Sequence, residues 1–437
     1  MSLWSHAAAV AAKTPESRNR LVDFLRAASI LAVISGHWLL AAPYLADGRL
    51  VMGNMLELAD YTKWLSWGYQ VMPVFFLVGG YANAVSWRAA LRDGKPFSVW
   101  LDARLRRLIL PVLPLIAAWV FLAWLGRGLG LDAAFVQQGS KTALVPIWFL
   151  AIYTLIILLV PLTHAAWQRW GFASFLVPVA LAAADDVLFF AGYPGLGWFN
   201  YVFLWVAVHQ LGYAWRDNRI ARPLARFGFG CFGLGLLCGL TLLGPYPVAM
   251  ISDPNAAMSN TLPPKLPLLA LGIAQTGFLL SFETPLRRWL ARPAPWTAAV
   301  LLNGMIMTIY LWHSTALALI IALSAALGNL GLGFDPGSSA WWLSRPAWLA
   351  IYTLALAALL PLVARFERLP IPKTAAATAR NQIAGATLAC SGLALLAYYG
   401  LGGEVALSIQ GIAVSAPFLG GLMAGLLHTP RPSRKSA

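Results

Sequence analysis

RLVDFLRAASILAVISGH, residues 20–37, opens a long apolar segment yet carries Asp23, Arg26 and His37. An ionised group at the centre of a bilayer helix costs roughly 2.5–3.5 kcal/mol on insertion scales, so such residues need a reason to be there. At 100° per residue, Arg26 and His37 fall within about 20° of each other, and Asp23 within about 40° of His37. All three point one way. Along the axis Arg26 and His37 stand about 16 Å apart. The stretch reads as a polar stripe running down a membrane helix.

The rest of the chain fits that reading. Of 437 residues, 59% are hydrophobic and 11% charged, with 20 Trp, too little polar surface for a water-soluble chain of this size. The fold class expected is an all-α polytopic membrane protein. Residues 1–21 hold no apolar core followed by a small-residue cleavage site, so no cleaved signal peptide is expected. Cys231, Cys238 and Cys390 all sit in apolar segments, which argues against a disulfide framework or a metal site.

Apolar windows near 22–44, 64–87, 108–126, 143–164, 171–190, 197–215, 228–250, 264–283, 298–327, 345–365, 382–400 and 405–427 give about 12 transmembrane helices. Loop charge sets their direction. Of 31 Lys and Arg, 24 fall in the two tails and in alternate loops, six in the other loops, and Arg26 within a span. That asymmetry places both termini in the cytoplasm. The net charge of +15 is therefore mainly a topology signal, and no nucleic acid partner is expected. Outward loops such as GYPGLGWFNY (192–201) are too short to form a domain. No repeat relates 22–215 to 228–427, which counts against a two-halved transporter. The last two spans follow a polar linker, LPIPKTAAATARNQ (369–382), and read as an appended hairpin.

Four places carry candidate chemistry. His37 lies about 22 Å into the first span, where a neutral imidazole can take a proton from a hydroxyl attacking an ester or thioester. The plain alternative is an interhelical hydrogen bond. Asp185 and Asp186 in the fifth span and His313 in the ninth fall at a similar depth. A carboxylate beside an imidazole fixes its tautomer; the alternatives are aspartates facing the outer water and a histidine used in packing. The loop 88–107, ending RLRRLILP, carries Arg88, Arg92, Lys95, Arg104, Arg106 and Arg107. Guanidinium groups suit nucleotide phosphates, although positive-inside topology alone also accounts for them. QVMPVFFLVGGYANAVSW (70–87) has Pro73 and Gly79–Gly80 for a kink or close packing, with Gln70 and Asn83 able to line a cavity.

Arg20, Asp23 and Arg26, with a histidine eleven residues after the last, resemble the opening signature of the acyltransferase-3 family of integral membrane acyltransferases. MPVFFLVGGY (72–81) resembles its second-helix block, with Gly79 in place of the common Ser. Arg104 and Arg107 ahead of LILP resemble its cytoplasmic arginine motif, and IWFLAIY (147–153) and IYLWHS (309–314) its later blocks. The similarity covers residues 18–368. One departure is that Trp148-Phe149-Leu150 is followed by no Glu, so no role of that Glu transfers. SNTLPPKLPLLALGIAQ (259–275) is similar to actinobacterial members that act on cell-envelope glycolipids.

The resemblance implies a ten-helix acyltransferase core over 22–368, after a cytoplasmic tail (1–21). A linker, transmembrane hairpin and basic tail follow (369–437). It implies O-acyl transfer, commonly of acetyl, from cytoplasmic acyl-CoA to a hydroxyl of an envelope lipid or carbohydrate, in a bacterial inner membrane and without a metal. His37 would be the essential catalytic residue, with Asp23, Asp185, Asp186 and His313 as further catalytic candidates, and Arg26, Arg104 and Arg107 would serve the donor. The pantetheine arm would run along the Arg26–His37 stripe in a tunnel between the early helices. Transfer can be direct or through an acyl-histidine. The rival expectation is a transporter or lipid flippase, since twelve spans are a common carrier layout and RDGK (92–95) resembles the basic loop of major-facilitator carriers.

Overall fold

A computed structural model describes residues 2–252, 256–367, 377–403 and 406–427. Residues 369–376 of the expected linker (369–382) and the basic tail at 428–437 lie outside the described residues, and the end of that linker already belongs to a helix that begins at Ala379. A short helix, α1 (Leu3–Ala12), precedes α2 (Arg20–Leu40). Two antiparallel strands follow, β1 (Ala41–Ala46) and β2 (Arg49–Asn54), leading through α3 (Met55–Leu58) and α4 (Thr62–Tyr69) into α5 (Met72–Arg92). Short joints then connect α6 (Phe97–Ile109), α7 (Val112–Gly128), α8 (Ala133–Leu144), α9 (Ile147–Leu158), α10 (Val160–Trp170) and α11 (Phe172–Phe190). A 3-10 turn (Leu196–Phe199) opens α12 (Asn200–Arg216), and α13 (Pro223–Cys238) ends in a π turn (Gly239–Leu243). The chain closes with α14 (Leu266–Ser281), α15 (Glu283–Leu290), α16 (Pro293–Ala326), α17 (Ser339–Glu367), α18 (Ala379–Tyr399) and α19 (Leu407–Met423).

Among the described residues, seven helices are long and apolar enough to cross a membrane, or nine if the bent pairs α8–α9 and α14–α15 each count as one span. The protein is a mostly helical, multi-pass membrane protein. Its breaks follow from local chemistry. The first span ends at Leu40, four residues short of its apolar window, because Pro43 cannot continue a helix and Asp47-Gly48 closes a hairpin. Both turn residues have positive φ, +50° and +74°, as a two-residue type I′ turn requires. The window at 64–87 is likewise split at Gln70–Val71, just ahead of Pro73. RDGK is a self-contained turn: Gly94 takes φ +64°, and Lys95, 3.0 Å away, holds Asp93 below the usual carboxylate range.

The described residues divide into two compact units. One draws on Met1–Ser86, Leu159–Ile306 and Ile321–Ala350, the other on Trp87–Leu158, Met307–Ile320 and Ile351–Ala437. In the first, α5 and α12 approach through glycines: a Cβ on Gly80 would strike the carbonyl of His209, and one on Gly212 the carbonyl of Leu77. The α13–α14 crossing does the same, since a Cβ on Gly277 would meet the backbone of Gly230. Lipid tails are as apolar as Leu, so helices associate by such close packing. In the second unit, α18 and α19 cross at Gly385 and Gly420. This pair also packs on α6, α8 and α9, where Gln382 Nε2 donates to the carbonyl of Ser98 at 3.1 Å.

These crossings make a sharp expectation. Gly212→Leu should cost roughly 1–3 kcal/mol or more through overpacking, whereas Gly228→Ala, with open space at its Cβ, should stay within about 0.5 kcal/mol. Thermal melts of the two variants in detergent check it.

Candidate functional site

Helix α2 begins where the Asn19 side chain accepts the Leu21 N–H at 3.2 Å, an N-cap that starts the helix just before its charged turn. Asp23, buried in that first turn, accepts from Arg18 Nε at 2.6 Å and from Arg26 Nη1 at 3.1 Å. The i,i+3 spacing that puts Asp23 and Arg26 on one face thus becomes a direct ion pair. Asn303 of α16 donates to the Asp23 carbonyl at 2.9 Å, and Arg20 donates to the Leu290 carbonyl at 3.0 Å. The charged end of α2 is fastened to its surroundings.

His37 sits one turn from the other end of the same helix, half-buried, with its carbonyl accepting the N–H of Ala41, the first residue of β1. Its neighbour Gly36 faces α4 closely enough that a Cβ would stand 3.0 Å from the Tyr69 ring. A segment of the loop between α13 and α14 is pinned to α4. Trp67 Nε1 donates to the Val248 carbonyl at 2.8 Å, Gln70 Nε2 to the Met250 carbonyl at 2.7 Å, and the Met250 N–H to Ser66 Oγ at 2.8 Å. Gln70 therefore anchors a loop.

Asp185 and Asp186 are also buried, in α11. Asp186 accepts from Asn200 Nδ2 at 2.9 Å, from Tyr246 OH at 2.8 Å and from the Leu266 N–H at the start of α14 at 2.9 Å. The fully buried Lys265 ammonium stands 3.7 Å from it, over the Phe189 ring. Neither aspartate hydrogen-bonds to His37. Asp186 instead joins three segments and offsets a buried cation, as a carboxylate at a helix N-terminus does.

In the second unit, the arginines of α6 divide their tasks. Arg106 pairs with Asp102 at 2.8 Å and donates to the carbonyls of Gly425 and Leu426 at the end of α19, at 3.0 and 3.3 Å. Arg104 sits over Trp100, its guanidinium carbon 3.9 Å from the ring centroid, and pairs with no carboxylate among the described residues. Arg107 is exposed. His313 is fully buried in α16. Its Nδ1–H donates to the Tyr310 carbonyl at 2.6 Å, and its Nε2 accepts from Ser314 Oγ at 3.2 Å. The Tyr310 carbonyl orients this imidazole.

One buried pair is absent from the sequence expectations. Asn83 Nδ2 donates to His209 Nε2 at 3.1 Å, and the His209 ring meets Tyr213 edge-on at 5.1 Å. An ionisable residue inside the apolar run 197–215 was the signal that finds it. Among the described residues, no group of three or more His, Cys, Asp or Glu could hold a metal ion.

Removing the Asp186 carboxylate leaves Lys265 buried without its counter-charge. Asp186→Ala should cost about 3–5 kcal/mol and lower the yield of folded protein, while Asp185→Asn stays folded. Size-exclusion profiles and melts in detergent read the difference.

No curated protein and no solved structure matches the chain. The acyltransferase domain that defines the acyltransferase-3 family matches residues 19–364, from the cap of α2 to the last turn of α17, leaving α1, α18 and α19 outside. The chain therefore belongs to the acyltransferase-3 family and is a membrane acyltransferase rather than a carrier.

Proposed function

We propose that the protein transfers an acyl group, most simply acetyl, from cytoplasmic acyl-CoA to a hydroxyl of a cell-envelope glycolipid or carbohydrate. The observation that carries this reading is α2, which lies within the family match. One unbroken helix bears the Asp23–Arg26 ion pair near its start and His37 near its end, about 16 Å further along the axis. Ionisable groups inside a membrane helix mark function by default. In this reading His37 is the general base. It takes the proton of the acceptor hydroxyl as the oxygen attacks the thioester carbonyl. The carbon–sulfur bond breaks, and the CoA thiolate recovers the proton from the imidazolium. An acyl-imidazole route uses the same residue.

Arg26 and, in the second unit, Arg104 and Arg107 are assigned to the donor's anionic groups. Arg104 supports the assignment because its charge meets no carboxylate among the described residues, in contrast to Arg106. Asp23 fits a supporting role, holding Arg26. The partners of Asp186 and His313 favour structural roles for Asp185, Asp186 and His313. The catalytic domain is taken as 22–368, with α18 and α19 as an added hairpin. Counting α5, α12 and α19 as spans brings the nine to twelve, with both termini cytoplasmic in a bacterial inner membrane.

Two measurements test this. Purified protein with an envelope lipid extract should release CoA from acetyl-CoA, and His37→Ala should lower that rate by about 10²–10⁴-fold while remaining folded. Undiminished release in a folded His37→Ala variant sinks the assignment. For topology, with the natural cysteines replaced, a Gly195→Cys variant should react with an impermeant maleimide in intact cells. An Asp93→Cys variant should react only after permeabilisation, and the reverse pattern inverts the orientation.

A further inference from the structure

Arg104 is unusual less for its charge than for how it is held. Its guanidinium carbon lies over the Trp100 ring, 3.9 Å from the centroid, and Nη1 donates to the Trp100 carbonyl at 2.8 Å. One residue thus grips it through both its ring and its backbone. Trp100 is itself fixed, stacked on Phe97 at 5.9 Å and edge-on to Trp87 at 5.2 Å. Two donors on this face of α6, Trp100 Nε1–H and Arg104 Nε–H, are buried and have no hydrogen-bond partner among the described residues. Spaced i,i+4, they belong to the same helix face. A buried donor without an acceptor costs about 1–3 kcal/mol, so two of them on one helix face, beside a positive charge that meets no carboxylate among the described residues, call for an acceptor that the described residues do not supply.

We propose that Trp100 is a positioning residue for the donor site: its ring holds the Arg104 guanidinium flat, and its indole N–H joins Arg104 in hydrogen-bonding a phosphate of the nucleotide thioester. The inference rests on the acyl-CoA reading above and adds to it a residue and a geometric requirement. A planar guanidinium can lie on an indole and keep its remaining N–H groups in one plane, where a phosphate can accept two of them. A lysine ammonium can sit over a ring but cannot offer a phosphate a coplanar pair of N–H groups. The contrast with Arg106, whose donors are spent on Asp102 and on the end of α19, explains why only one of these two arginines is available to a ligand.

The test compares two donors, acetyl-CoA and the acetyl thioester of N-acetylcysteamine, which carries the same reacting bond without the nucleotide. Trp100→Leu should raise the KM for acetyl-CoA about ten-fold with little change in kcat. Its kcat/KM with the nucleotide-free thioester should match that of the wild type. Trp100→Phe, which keeps a ring under the guanidinium, should recover part of the loss, and Arg104→Lys should not. An unchanged KM in Trp100→Leu, or an equal loss with both donors, overturns the positioning role while leaving the acyl-CoA reading intact. A wild-type protein that neither binds coenzyme A nor releases it from acetyl-CoA overturns that reading and this inference together.

Discussion

An apolar chain in a membrane can keep a charged group only if that group meets opposite charge or directed donors, and this constraint accounts for most of the architecture. Asp23 has Arg18 and Arg26. Asp186 has Lys265, the Tyr246 hydroxyl, the Asn200 amide and a helix N-terminal N–H. Glu283, at the bend between α14 and α15, has Arg226 at 2.9 Å, Arg287 at 2.7 Å and the Trp215 indole at 3.1 Å. Asp186 and Glu283 take their partners from several segments of one unit, whereas Asp23 takes its own from the turn before α2 and the next turn of that helix. Breaking such a pair leaves a buried charge uncompensated, which costs more than the intact pair contributes. These nodes therefore specify which segments meet more than they add to net stability.

Glycine supplies the attraction that the ion pairs do not. At Gly80–Gly212 and Gly385–Gly420 the backbones come so close that a methyl group on either side would overlap the opposite main chain, and at Gly230–Gly277 one on Gly277 would overlap the Gly230 backbone. Close approach brings the main chains into dispersion contact and leaves room for few side chains at the crossing. The polar residues beside the α5–α12 contact then have fixed neighbours. Asn83 and His209 face each other because Gly80 and Gly212, a single turn away on each helix, set the distance between the axes.

The membrane class and the charged stripe of α2 were legible because both depend on local spacing. Asp23 and Arg26 are three residues apart on a helix, so periodicity alone pairs them. The hairpin at Ala41–Asn54 was equally local, with Asp47-Gly48 as its turn signal, yet the apolar run WLLAAPYL (38–45) masked it by reading as more of the same span. The partners of Asp186 were out of reach for a different reason. Tyr246 and Leu266 lie 60 and 80 residues away, and no periodicity connects them to α11. Asn83 and His209 are 126 residues apart. Candidate site residues could be named from intramembrane charge, but their division into structural and chemical roles depends on contacts of this range.

That division is clearest on α6. In sequence, Arg104, Arg106 and Arg107 are three positive charges in four positions, and a count of loop charge treats them alike. The helix separates them by 100° per residue, so neighbours in sequence face different surroundings. Arg106 faces Asp102 and the carbonyls that follow α19, where a cation suits the negative end of that helix's dipole. Arg104, turned about 160° away, faces an indole. Indole offers attraction to a cation without neutralising it, whereas a carboxylate would cancel the charge and occupy the donors. Holding an arginine on an aromatic ring thus keeps it ordered and still able to bind an anion. The hairpin outside the family match engages Arg106, whereas Arg104 has, among the described residues, an indole rather than a carboxylate against its charge.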